Sequence, residues 1–288
     1  MEEIANQVFI EESFTGIVTA ALKLPHGLLI IDSPSKADER KTWRQKLINL
    51  GFGVAQVVVL LDTHLDRLMS APLIDAPTLV QENALEIIHN LPIANRPLEK
   101  LSESQPELHD APQTTRWCLP DLSYSRQVNL YWGEQPVAVS HHPGAHMAAS
   151  WVKYDAEKVI FVGDSVVVNQ PPFLSWCSID RWIEELTWLS SDFFKYHLMI
   201  SGRDGIVSQE SVENMIKFLQ SLKSIVSELL MMEDPDRRVE QESIKLLKFF
   251  NVDSHLEEEY QKRLVGELNQ LIKRIKTDQG KGDSNASA

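Results

Sequence analysis

The chain is built from short apolar runs that stop abruptly at polar clusters and, beyond Ser208, from long stretches with an apolar residue every three or four positions. The sharpest run is Val57 to Leu61, five apolar residues that read as a buried strand. It gives way at once to Asp62, His64, Asp66 and Arg67. A polar cluster at the exit of a buried strand is where α/β folds place their sites. The spacing supports two readings. Asp62, His64 and Asp66 stand two apart and converge only on a loop or a distorted turn, as in a metal or acid–base site; alternatively Asp62 or Thr63 is the N-cap of a short helix through Leu68.

The same punctuation recurs along the chain. Residues 7 to 31 hold two apolar runs and then GLLIIDSP, a meander whose last strand ends at Asp32. A helix is predicted from Ala37 to Leu50, with Trp43, Leu47 and Leu50 on one face and Gly51 placed to end it. Residues 77 to 81 read as a strand and 82 to 91 as a helix. The Pro-rich, polar stretch 93 to 114 reads as a long surface loop. Strands are predicted at Thr115 to Leu119, Gln127 to Trp132, Pro136 to Ser140, Ala148 to Tyr154 and Lys158 to Val162, the last two pairing across a turn at Asp155 and Ala156. Ile179, Trp182, Ile183, Leu186 and Leu189 mark an amphipathic helix, and HLMI (197 to 200) reads as the last strand. Three helices then follow. Asp234 and Pro235 separate the first from a second at Arg237 to Phe250, and Ser254 with Glu257 has the form of a capping box for the third. The stripe Leu256, Tyr260, Leu264, Leu268, Leu271 and Ile275 on that third helix packs against the core or against a second copy of the chain, so a homodimer through the C-terminal helices is expected. Residues 277 to 288 read as a disordered tail.

Composition narrows the partners. With 288 residues and a formal net charge of −13, the chain can bury a substantial core and is unsuited to a nucleic-acid backbone. No apolar run approaches the roughly 20 residues that cross a bilayer, and the N-terminus MEEIANQ does not read as a signal peptide, so a cytoplasmic protein without membrane contact is expected. The two cysteines, Cys118 and Cys177, agree with a reducing compartment and read as small buried hydrophobes.

Four strand exits carry candidate chemistry: DTHLDR at 62 to 67, HHPGAH at 141 to 146, GD at 163 to 164 and GRDG at 202 to 205. In this order and spacing they resemble the metallo-β-lactamase superfamily, over roughly residues 8 to 226. The first family motif, HxHxDH, matches Asp62, His64, Asp66 and Arg67. The second, a histidine beside a Pro-Gly turn, matches Pro143, Gly144 and His146, with Ala145 as one added residue. Asp164 in VIFVGDSV matches the bridging aspartate, Arg203 replaces the final histidine, and LIIDSP is similar to the family's early LIDTG strand, with Asp32 structural. The resemblance implies an α+β fold, a metallo-β-lactamase-like αββα sandwich over 1–226, with a C-terminal helical extension over 227–276. It also implies a first metal position held by Asp62, His64, His146 and Asp164, and a second at Asp66, Arg67, Asp164 and Arg203. Guanidinium offers donors and no acceptor, so it ligates nothing. Asp62, Asp66 and Asp164 against two arginines leave the site at −1, which accommodates one divalent ion and argues against two. The arginines are expected to occupy the space and charge of the missing second metal by pairing with Asp66 and Asp164.

Two functions follow from the resemblance. One is a hydrolase with at most one metal ion, zinc first and iron or manganese next, acting on a small ester, thioester, lactone or phosphoester. Asp66 would orient or deprotonate water, and Arg67 or Arg203 would stabilise the oxyanion. The other is a metal-free, non-catalytic relative binding a small acidic ligand or a partner protein through the old cleft. His141 and His142 read equally as turn residues or neighbours of the ligands and as ligands themselves; His89, His109, His197 and His255 read as surface or helix-face residues. Trp182 and Trp176 read as core packing, Trp176 with the cleft wall as its alternative.

Overall fold

The structure is a computed structural model. It describes residues 1–51, 55–70, 76–90 and 119–285, except for the side chains of residues 70, 90 and 279–285. The 93 to 114 loop, Cys118, His109 and most of the strand expected at Thr115 to Leu119 lie outside the described residues.

Among the described residues the first sheet has seven strands whose spatial order is their chain order: β1 (Glu2–Ala5), β2 (Val8–Glu11), β3 (Thr19–Leu24), β4 (Gly27–Ile31), β5 (Ala55–Val59), β6 (Thr78–Gln81) and β7 (Leu122–Tyr124). The first four pair antiparallel and the rest parallel. Helix α1 (Ala37–Leu50) lies between β4 and β5, α2 (Leu65–Ser70) between β5 and β6, and α3 (Asn83–Asn90) after β6. Gly51 ends α1 at φ 110°, a backbone that costs glycine no Cβ clash. The apolar runs of β4 and β5 are continuous because both faces are covered. Leu28, Ile30 and Val58 point out against Trp43, Leu47, Leu68 and Ile88 of the helices, while Leu29, Ile31, Val57 and Val59 point in.

The second sheet has the order β13-β12-β11-β10-β9-β8. Its strands are β8 (Gln127–Leu130), β9 (Val137–His141), β10 (Ser150–Tyr154), β11 (Val159–Gly163), β12 (Leu198–Ser201) and β13 (Gly205–Val207). Val139, Val152, Phe161 and Ile200 meet the inner face of the first sheet, and Trp151, Ile160, Val162 and Met199 face outward. The outer face is covered by α4 (Ile179–Leu189), α5 (Gln209–Leu230), α6 (Asp236–Leu247) and α7 (Glu257–Asn285). The architecture is therefore helix, sheet, sheet, helix, the expected α+β sandwich.

Several expectations change. β13 follows the strand expected to be last, so GRDG is the turn of a hairpin. β1 and β7 escape the apolar pattern because Glu2 and Glu3 are exposed and only Tyr124 of β7 is buried. A capping box is formed at Ser208 and Ser211, at the start of α5. That helix crosses the boundary placed at 226, and Leu264, Leu268, Leu271 and Ile272 of α7 are buried in the same core as Trp182 and Phe218. The apolar stripe is thus satisfied within the chain, and its helix runs on through Asn285, past the start of the expected tail at 277; residues 286–288 lie outside the described residues. Trp182 is buried, but Trp176 is 42% exposed. His197 is buried, with Nε2 3.1 Å from Asp155 Oδ1. No helix among the described residues is long and apolar enough to cross a membrane.

At the end of β2, buried Glu11 accepts hydrogen bonds from the Ser13 backbone and hydroxyl and pairs with Lys46 of α1 and the Met1 ammonium. Burial pushes its carboxyl up, but Lys46, the ammonium and Ser13 outweigh burial and hold it at about 2, against 4.5 ordinarily. A depressed carboxylate contributes stability above its unfolded pKa and loses it as pH falls. Unfolding free energy should therefore decline between pH 4.5 and pH 2. In Lys46→Met that slope should flatten, as urea titrations across the range would register.

Candidate metal centre

The site residues gather at one end of the two sheets: Asp32, Asp62, Asp164 and Arg203 just beyond strand ends, Asp66 and Arg67 in the first turn of α2, and His146 between β9 and β10. Asp32 closes β4 with φ 55°, in the left-handed region, and its Oδ1 accepts the Leu61 N–H at 3.0 Å. After β5, Asp62 Oδ1 accepts the His64 N–H at 2.9 Å, and the His64 carbonyl accepts from Arg67 and Leu68 as α2 begins. Asp62 therefore braces the turn ahead of the helix and also faces the cluster. Asp164 follows Gly163 (φ 57°) at the exit of β11, and the Gly202 N–H bonds back to the Gly163 carbonyl at 2.9 Å. Gly202 is a packing requirement, because a Cβ there would overlap Arg67 Nη2. Arg203 leaves the end of β12 with its N–H on Ser201 Oγ.

Arg67 is fully buried at the centre. Its Nε donates to Asp32 Oδ2 at 2.7 Å, Nη1 to Asp62 Oδ2 at 2.9 Å and Asp164 Oδ2 at 3.2 Å, and Nη2 to Asp164 Oδ1 at 2.7 Å. Arg203 donates through Nε to both Asp164 oxygens at 3.0 Å, through Nη1 to Asp66 and the Gly16 carbonyl, and its Nη2 forms an ion pair with Asp164 Oδ2 at 2.9 Å. Asp66 and Asp164 thus both meet a guanidinium. Arg67 also pairs with Asp62 and Asp32, so the charge count needs a fourth carboxylate. Four carboxylates and two guanidiniums leave the cluster at −2 with His64 neutral. A proton on His64 brings it to −1, and one divalent cation beside neutral His64 brings it to zero.

Electrostatics follow from these contacts. Burial raises the Asp164 carboxyl, but Arg203 and Arg67 outweigh it and hold it well below the usual range. Asp62 is likewise raised by burial and more strongly lowered, by Arg67 and then His64. Asp32, paired with Arg67, is dominated by burial and pushed up to about 6. Burial opposes charge on His64, but Asp62 and Asp164 raise it to about 9.

Asp62, His64 and Asp164 each offer one ligand atom, and these lie within 4.8 Å of one another. His64 Nδ1 is 3.0 Å from Asp62 Oδ1 and 3.3 Å from Asp164 Oδ2. It is nonetheless misaligned for a hydrogen bond to either and has no other partner among the described residues. A buried nitrogen facing two carboxylates off-axis fits a shared cation, and an N/O donor set fits one divalent ion. His146 sits beside this group, its ring 5.0 Å from that of His64, but is bonded elsewhere. Its Nδ1 accepts the Ala148 N–H at 3.1 Å, so neutral His146 carries its proton on Nε2, which is 3.2 Å from Thr63 Oγ1. Burial first, then His64, lowers it to about 3, so it stays neutral. As placed, Nε2 presents a hydrogen where a metal needs a lone pair.

Nothing in the sequence signals the lid. Phe173 lies 4.6 Å from the His64 ring and is flanked by the Arg203 and Arg263 guanidiniums. Glu267 of α7 accepts the Leu174 and Ser175 N–H groups at 2.7 Å, and Arg263 donates to Gln170 and the Pro171 carbonyl. Trp176, its ring 6.5 Å from that of His146, is 42% exposed and stands outside the core. An aromatic beside two prolines has no pattern that distinguishes a lid from ordinary packing.

No family model matches the chain, and no curated protein matches it. Solved structures do. A metallo-β-lactamase from Pontibacter korlensis is 15% identical, covering 76% of this chain and 97% of its own, with a TM-score of 0.56. A metallo-β-lactamase family protein from Thermus thermophilus is 12% identical, covering 95% and 94%, with a TM-score of 0.64, so the match takes in C-terminal helices. A double mutant of the sec-alkyl sulfatase PisA1 is 10% identical, with a TM-score of 0.66 over 91% of this chain and 49% of its own. With the sheet order and the four strand exits, these likenesses identify the architecture as the metallo-β-lactamase fold.

Proposed function

We propose that the protein is a hydrolase of the ester, thioester, lactone or phosphoester class that works with a single divalent ion, zinc first, at Asp62, His64 and Asp164. The observation that carries this reading is the buried His64 Nδ1, off-axis to two carboxylates and without another partner among the described residues. A bound ion would supply Lewis acidity and a water of lowered pKa. Asp62 and Asp164 would hold the ion, and Arg67, bonded to both, would fix their orientation. Arg203 ties down Asp66 and the far side of Asp164, filling the second metal position with fixed charge. In this reading Arg67 and Arg203 are positioning residues.

The second reading, a non-catalytic protein that binds a partner through the cleft, is favoured by the engagement of Arg67 and Arg203 with carboxylates of the chain itself. Metal analysis separates the two. Protein purified without chelator should carry about one ion per chain, and His64→Ala none, because three N/O ligands reduced to two no longer make a closed site. If neither preparation holds an ion, the hydrolase reading fails and the binding protein stands.

Both readings place Arg67 at the centre of a buried ion cluster. Replacing it with Met leaves three carboxylates without their shared counter-ion, so Arg67→Met should lower unfolding free energy by about 3–5 kcal/mol, the usual cost of removing one partner from a buried pair. Urea unfolding of wild type and variant at neutral pH would measure it. A loss no larger than that of a surface substitution would mean that the cluster is hydrated in solution.

A further inference from the structure

A second constellation lies at the end of β9, next to the edge strand β8 of the second sheet. Ser140 and His142 are two residues apart at the end of β9. Ser140 Oγ is 2.9 Å from His142 Nε2, and His142 Nδ1 is 2.7 Å from Glu185 Oε2 on α4. A glutamate carboxylate only accepts, so neutral His142 carries its proton on Nδ1 and turns the Nε2 lone pair towards the serine hydroxyl. That order, hydroxyl to imidazole to carboxylate, lets a serine act as a nucleophile, and it is recognised by geometry and not by chain position.

The groups are held rigidly. The His142 ring stacks on buried Trp151 with centroids 3.8 Å apart and planes 12° apart, and Trp188 lies parallel to it at 5.5 Å. Trp151 is pinned by its own indole N–H on Ser165 Oγ at 2.9 Å. The His142 N–H bonds to the Ala149 carbonyl, and α4, which carries Glu185, is anchored by buried Trp182, Leu186 and Leu189. The site also meets solvent. Ser140 pairs with Trp151 on one side and with exposed Gln127 of the edge strand β8 on the other, so it stands where the helical cover runs out. Cross-strand partners share a face, so Gln127 puts a side-chain amide on the same face as Ser140. Trp188 is 46% exposed beside this site and offers a flat apolar surface.

We propose that Ser140, His142 and Glu185 form a serine-nucleophile site that takes the acyl group of a carboxylic ester with a planar or apolar acyl part, independent of any metal. Ser140 Oγ attacks the ester carbonyl and its proton passes to His142 Nε2. The Oγ–acyl bond forms, the ester C–O bond breaks, and the His142 proton leaves with the alcohol. Water then gives a proton to Nε2 and attacks the acyl-serine, releasing the carboxylic acid and restoring Ser140 as the proton returns to its hydroxyl. Glu185 is a positioning residue that fixes the imidazole tautomer.

The test uses the full chain in EDTA with a fluorophosphonate probe, followed by peptide mass spectrometry, and in parallel with p-nitrophenyl acetate. One adduct per chain on Ser140 is expected, together with a burst of p-nitrophenolate that Ser140→Ala abolishes. His142→Gln should slow labelling by about 100-fold or more, the usual contribution of a general base. Glu185→Gln should remove the low-field proton NMR signal of His142 Nδ1–H, which a purely structural role for Glu185 in packing would leave in place. A native chain that stays unlabelled, or is labelled on another serine, overturns the proposal, as does equal labelling of Ser140 in His142→Gln. Because EDTA is present throughout, failure here is separate from failure of the single-ion reading.

Discussion

The fold turns on one guanidinium. Arg67 is fully buried and joins carboxylates that leave three different strands: Asp32 from β4, Asp62 from β5 and Asp164 from β11. The first two strands belong to one sheet and the third to the other, so the arginine stitches the sandwich together at one end. Taking such charges out of water costs several kcal/mol per ion, and only close pairing offsets it. That constraint explains the left-handed backbone at Asp32 and the close approach at Gly202. Each lets an acceptor or the chain itself come within reach of a planar, inflexible donor.

The same constraint accounts for aspartate at 62, where the resembling family has histidine. A metal ion takes imidazole lone pairs from several directions, whereas guanidinium offers five N–H groups in one plane and wants charged oxygen acceptors. With arginine at 67, a neutral imidazole at 62 would give Nη1 a weaker acceptor and would remove one of the carboxylates balancing two arginines. Asp62 and Arg67 are therefore one substitution in physical terms: a metal-ligating surface exchanged in part for an ion-paired one. His64 marks the part that was not exchanged, since its Nδ1 gained no guanidinium or backbone partner among the described residues.

How much of this was legible follows from what kind of signal each piece sends. Strands buried on both faces announce themselves as apolar runs, and their exits carried the charged residues, so Asp62, His64, Asp66, Arg67, Asp164 and Arg203 could be picked out and are in fact together. Edge strands β1 and β7 bury too little to leave a pattern. His146 was visible as a histidine beside a turn, but its tautomer depends on the Ala148 N–H and Thr63 hydroxyl, which only the folded backbone brings to it. The role of Asp32 as an Arg67 partner was hidden for the same reason: the pairing spans 35 residues. The Phe173 lid was hidden too, because it is held by groups on α7.

That last connection changes what the C-terminal helices are for. An appended bundle that served only to cover the outer sheet would need apolar contacts and no more. Yet α7 buries two charged side chains, Arg263 and Glu267, and points both at residues 170–175, the segment that carries Phe173 onto His64. Burying charge is expensive unless it is matched, and here it is matched by backbone N–H and carbonyl groups that a segment containing Pro171 and Pro172 cannot satisfy by regular structure. The helix thus fixes the irregular stretch between β11 and α4, and with it the Phe173 ring against His64. The C-terminal extension is part of the site's construction as much as of its core.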